Sequence, residues 1–222
     1  MKAMYYKEWI KTRWYLLLAF LTLMGFTGYS ILRFNRALGL KGAQHLWEVM
    51  LTHDAIFVEL LTYIPIILGV ILAIVQFMPE MHRKCLKLTL HLPCSHMRML
   101  YQMLSFGVLS LFVIFAISFL SLFFALKGAL APELYSHILL TMVPWFLAGL
   151  AAYLLLSWIC LEPTWKRRVL NLIITMLLLR IYFMSPIPEA YNSFLPGLTL
   201  ITLLTGCFSA LSVQRFKEGK QD

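Results

Sequence analysis

The chain has 222 residues, 61% hydrophobic and only 13% charged, with a formal charge of +9. A soluble domain carries roughly a quarter charged residues, so a mean hydropathy of +0.80 exceeds what a water-facing fold can bury and makes the bilayer the solvent. Polar connections are short, which leaves no room for a separate soluble domain and predicts one all-α transmembrane domain over 1–222.

Residues 4–13, MYYKEWIKTR, read as an interfacial helix. Tyr5, Tyr6, Trp9 and Ile10 share one face, and Lys7, Glu8 and Lys11 take the other, the arrangement of a helix lying on a membrane. It serves either as a plain juxtamembrane anchor or as a specific contact element. Runs of about 20 apolar residues, the length that crosses the hydrocarbon core, fall at 14–32, 56–78, 101–126, 137–160, 169–184 and 197–213. They are continuous, unlike the alternating ten-residue segments of a membrane barrel. The basic N-terminus runs into a span too long for a signal-peptide core, so no cleavage is expected.

The first loop, 33–55, is the longest, and GAQHLWEVMLTHD within it has helical spacing. The loop at 185–197, SPIPEAYNSFLPG, joins two short spans and is expected to dip into the membrane as broken helices shielded by protein. Glu59 and Arg180 are the notable ionisable residues within spans, and Tyr63, Asn171 and Thr175 are polar groups near them in the chain or on the same spans. Charge in hydrocarbon costs at least ~2.5–3.5 kcal/mol, so it pairs or faces water. Two readings stay open: Glu59 and Arg180 meet near an outer gate, with Tyr63 and Asn171 on a pathway, or both reach the wet edge while the polar groups bond neighbouring helices.

Residues 79–96, PEMHRKCLKLTLHLPCSH, are the strongly charged stretch inside this apolar chain. Three histidines and two cysteines suggest metal ligands, but Cys85 and Cys94 lie nine apart, as do His82 and His91, not in the close pairs of zinc sites. No metal is expected. Met81, Cys85, Leu88 and Leu92 share a helical face, although Leu86, Leu88, Leu90 and Leu92 also alternate as in a strand. An isolated strand beside a bilayer leaves unpaired edges, so an interfacial helix is expected. Lys and Arg are distributed 14 to 4 between the two sides of the membrane, with Arg180 inside a span. That bias places both termini in the cytoplasm. It also accounts for the positive charge through anionic lipid, with no nucleic-acid partner.

This stretch resembles the cytoplasmic loop of type-2 ABC transporter permeases, which runs from a Glu through a polar turn and alternating leucines to Leu-Pro-x-Ser. Glu80, Arg83, Leu86, Leu90, Leu92-Pro93 and Ser95 match, and KEWIKTRW, with Lys7, Glu8, Trp9 and Lys11, resembles the family's N-terminal interfacial helix. Lys84-Cys85 replaces the usual Gly-Thr, and Tyr101 or Gln102 stands where a lysine often follows. The resemblance implies a six-helix exporter permease in the bacterial cytoplasmic (inner) membrane, paired as a homo- or heterodimer. Loop 79–100 would form a coupling helix on a separate cytoplasmic ABC ATPase, through Glu80, Arg83, Lys84, Lys87, Leu90, Pro93 and Ser95. ATP and Mg would then sit on that partner, and this chain would bind no cofactor. Independently, the chain has no G-x-x-x-x-G-K-[ST], so the standard phosphate cradle is missing. The competing readings are a secondary carrier, which the lack of an internal repeat argues against, a membrane scaffold, or an intramembrane enzyme. Neither HExxH nor GxSxG occurs, and no catalytic residue is expected.

Overall fold

The computed structural model describes residues 2–53, 58–82, 96–128, 130–185, 187 and 189–217. Among the described residues every regular element is helical: α1 (Lys2–His53), α2 (Ile64–His82), α3 (His96–Lys127), α4 (Pro132–Leu161), α5 (Trp165–Ile181) and α6 (Leu195–Lys217), with 3-10 turns at Glu59–Leu61 and Asn192–Phe194. Among the described residues five helices are long and apolar enough to cross a membrane, and α5, at 17 residues, is shorter. The molecule is a multi-helix protein with the apolar helices of a membrane protein.

Two expected boundaries move. The interfacial helix 4–13, the span 14–32 and most of loop 33–55 are one continuous α1 of 52 residues. The reason is covalent: the first proline is Pro65, so nothing before it removes a hydrogen bond from the ladder. The shift in polarity at residue 14 changes what surrounds the helix, not its backbone. At 1.5 Å per residue α1 is about 78 Å long, over twice the ~30 Å hydrocarbon core. Likewise α2 runs through Pro79 to His82, which puts Glu80 on a helix rather than in the loop. Between Ile181 and Leu195 the described residues make turns and a three-residue 3-10 turn, not broken helices. Tyr191 organises that turn, its hydroxyl donating to the Ile181 carbonyl at 2.9 Å and accepting from Met184 N at 2.7 Å.

The helices alternate in direction, and α4 sits at the centre, touching α2, α3, α5 and α6, while α1 packs on α3 and α2. Non-consecutive helices pack in parallel: Tyr5 meets Ser105 and Thr27 meets Ser118 along α1 and α3, and Ser157 meets Ser209 between α4 and α6. The α2–α4 contact is a backbone approach. A Cβ on Gly69 would lie 2.2 Å from the Gly149 carbonyl oxygen, and one on Gly149 would lie 2.7 Å from that of Pro65. Small residues permit this closeness where water supplies no drive to bury helix faces. As a result the starts of α1, α3 and α5 and the ends of α2, α4 and α6 gather at one end of the bundle, called here the basic end.

Candidate functional site

The basic end holds a charged cluster whose parts lie far apart in sequence. Lys7 and Lys11 lie one turn apart on α1, and both reach Glu80 on the last turn of α2. Lys7 Nζ is 3.0 Å and Lys11 Nζ 3.1 Å from Glu80 Oε1. Lys11 also approaches Glu8 Oε2 at 3.7 Å and donates to the Gln76 carbonyl. That carbonyl adjoins the one at Val75, whose helical donor Pro79 removes. Gln76 carries the cluster inward: its Nε2 donates to the Met103 carbonyl at 2.9 Å, and its Oε1 accepts from the Tyr153 hydroxyl at 2.7 Å. One network thus spans α1, α2, α3 and α4. Tyr153 fits because residue 107 is glycine, where a Cβ would stand 2.0 Å from the hydroxyl oxygen.

The cluster reverses the expected sidedness of most of residues 4–13. Glu8 is fully buried, whereas Tyr6 and Trp9 are more than half exposed and Ile10 nearly half; Tyr5 turns in to Ser105. Apolar side chains facing lipid cost nothing, while a carboxylate must be sheltered among paired groups. Two carboxylates and two ammonium groups make the set neutral. Among the described residues neither Glu8 oxygen has a hydrogen-bond partner, so Lys11 is its counter-charge. Taking such charges from water costs several kcal/mol each, and only close pairing offsets it. The arrangement suits a fastener rather than a reaction centre. Among the described residues no group of three or more His, Cys, Asp or Glu could hold a metal ion.

Of the residues expected to couple to an ATPase, Glu80 is in this cluster, and Arg83, Lys84, Lys87, Leu90, Pro93 and Ser95 lie outside the described residues, as do Cys85, His91 and Cys94. Lys7, Glu8 and Lys11 are brought to Glu80, while Trp9 faces outward. Glu59 and Arg180 stand exposed, and no ion pair joins them among the described residues. The ends of α2 and α5 meet instead through Tyr63 stacked on Phe183, ring centroids 5.5 Å apart. The reason is access: at the helix ends both charges reach the surface without each other's help. Asn171 and Thr175 share the buried face of α5, and their Nδ2 and Oγ1 have no hydrogen-bond partner among the described residues.

Sequence reasoning missed Gln76, Tyr153 and a second knot around Glu162. That carboxylate is fully buried where α4 hands over to α5. Its Oε2 accepts from Ser212 and lies 3.6 Å from Arg215 on α6. Arg168 Nε donates to the Glu162 carbonyl oxygen at 2.7 Å. A signal was present, since Glu162 is a lone acid between a long apolar run and Lys166-Arg167-Arg168. For Gln76 and Tyr153, amid apolar neighbours, only the partner decides the role.

No protein-family model, curated protein or solved structure matches this chain.

Proposed function

We propose that the chain is the membrane subunit of an ATP-driven type-2 ABC transporter, an exporter permease that works as a dimer on separate cytoplasmic ATPase subunits. Besides the resemblance of residues 79–95 and 7–14, one observation carries this reading. Glu80, three residues ahead of the 83–95 loop, is clasped by Lys7 and Lys11 of α1, and Gln76 on the same helix ties on to α3 and α4. A push on the loop would therefore move four helices as one body instead of bending a flexible linker. In this reading the basic end faces the cytoplasm, as the positive-inside bias requires, and the loop is the coupling element. The missing phosphate cradle assigns ATP and Mg to the partner.

The test is to capture the tagged full chain from membranes of its own cell under mild detergent. The expectation is that an ATPase bearing the phosphate-loop motif co-elutes, that the complex hydrolyses ATP, and that Glu80→Gln or Arg83→Glu lowers hydrolysis or breaks the association. Substrate movement by the purified chain alone under a proton gradient would replace this reading with that of a secondary carrier.

A further inference from the structure

A groove of about 880 Å³ runs along the outside of the bundle between α1 and α3. Its walls include Trp9, Trp14 and Leu17 on α1 and Leu109 and Val113 on α3, each half or more exposed. From Tyr5 to Phe20 it extends about 22 Å along α1 at 1.5 Å per residue, enough to span one leaflet, about half of a ~30 Å hydrocarbon core. Its charged lining residue is Arg13, about midway along the α1 wall between Tyr5 and Phe20, and no carboxylate lines it. The guanidinium lies 5.6 Å from the Trp14 ring centroid and makes no ion pair among the described residues, whereas nearby Lys7 and Lys11 are engaged by Glu80.

We propose that this groove holds the upper part of one acyl chain of an anionic membrane phospholipid, with the headgroup phosphate on Arg13 and Trp9 and Trp14 flanking it on either side. Four features converge on that occupant. A cation without a carboxylate partner stands at the headgroup level. Two indole rings sit at the depth where aromatic belts form. From Arg13 to Phe20 the walls run about 10 Å further, room for the upper part of an acyl chain, and the basic end as a whole attracts anionic lipid. A second copy of this chain fits less well, because a symmetric contact through this patch would bring two Arg13 side chains into an interface lined by no acid. The inference rests on the membrane placement of the helices and not on the transport reading, so either can fail alone.

The experiment reconstitutes the full chain in phosphatidylcholine nanodiscs containing a minor fraction of brominated phosphatidylglycerol or, separately, brominated phosphatidylcholine, and reads quenching of tryptophan fluorescence. The anionic lipid is expected to quench more strongly, and the excess to vanish when Trp9→Phe and Trp14→Phe are combined. Arg13→Gln is expected to lower the anionic preference about fivefold, the effect of one basic side chain near a leaflet surface. Arg13→Lys keeps the preference. Val113→Phe, which fills the groove, reduces quenching by both lipids. Arg167→Gln, at the basic end but on α5, leaves the preference intact. Circular dichroism and elution volume verify folding, and if Arg13→Gln does not reconstitute, the paired tryptophan variant decides. Equal quenching by the two lipids, an excess that survives loss of Trp9 and Trp14, or an equal drop with Arg167→Gln would overturn the proposal. So would a dimer whose Trp9 and Trp14 neither lipid reaches.

Discussion

The Lys11 ammonium lies 3.1 Å from Glu80 Oε1, joining the third turn of the first helix to the last turn of the second. Lys11 also neutralises Glu8, so its loss strands a carboxylate that is fully buried. We predict that Lys11→Met destabilises the protein by about 3 kcal/mol, the range for a buried pair stripped of one partner. Adding Glu8→Gln should recover most of that, because Lys7 and Glu80 then remain as a balanced pair. Equilibrium unfolding in mixed micelles measures both, and a double variant no better than the single would show that the two residues are not coupled.

Tyr153→Phe removes the hydroxyl that donates to Gln76 Oε1 and leaves a buried acceptor short of a partner. The expected cost is about 1–2 kcal/mol, with faster amide exchange at the end of α2. If Gln76→Leu in the Tyr153→Phe background restored nothing, the loss would have to come from packing instead.

Glycines on different faces should respond in opposite ways. Gly69→Ala forces a Cβ to 2.2 Å from the Gly149 carbonyl oxygen, so α2 and α4 must separate, and a loss above ~2 kcal/mol is expected from the disrupted packing. Gly28 has nothing within 4 Å of its would-be Cβ. Gly28→Ala should therefore be neutral, or stabilising by up to ~1 kcal/mol through helix propensity. Thermal inactivation of the two variants side by side is a direct comparison, and equal behaviour would contradict the close backbone approach.

Glu162→Ala should loosen the end of α6, since Ser212 and Arg215 both lose their shared carboxylate. Hydrogen exchange across 209–217 is expected to accelerate about tenfold or more, as ~1.4 kcal/mol of local opening energy would produce, with 14–32 unchanged. Uniform acceleration throughout the chain would indicate a global defect instead.

Glu59→Gln and Arg180→Gln should each change stability by less than ~0.5 kcal/mol, the usual range for exposed positions without partners. The charge-swapped double variant should do no better than either alone. Tyr63→Ala is expected to cost more than either, about 1 kcal/mol, because it removes the ring stacked on Phe183. A strong rescue by the swap would revive the outer pairing that the geometry does not show.

What the residue order determined by itself was the solvent and the class of element. Long apolar runs in an oily chain must satisfy their backbone groups internally, and that dictates helices wherever they lie. The lopsided placement of Lys and Arg further marked one end of the bundle as basic. The tertiary structure alone decided which way residues 4–13 face and which charges pair. Helical periodicity separates an aromatic face from a charged one, but it cannot say which of them meets protein. Tyr6, Trp9 and Ile10 turn outward and Glu8 inward, while Tyr5 packs on α3. For Glu59 and Arg180 the residue order left pairing and separate access both open, and each stands exposed at a helix end. Gln76, Tyr153 and Glu162 acquire their meaning from residues 27 to 77 positions away. The two longer of these contacts follow from the packing of non-consecutive helices, of which the close backbone approach of Gly69 to Gly149 is one case, and no local pattern encodes them.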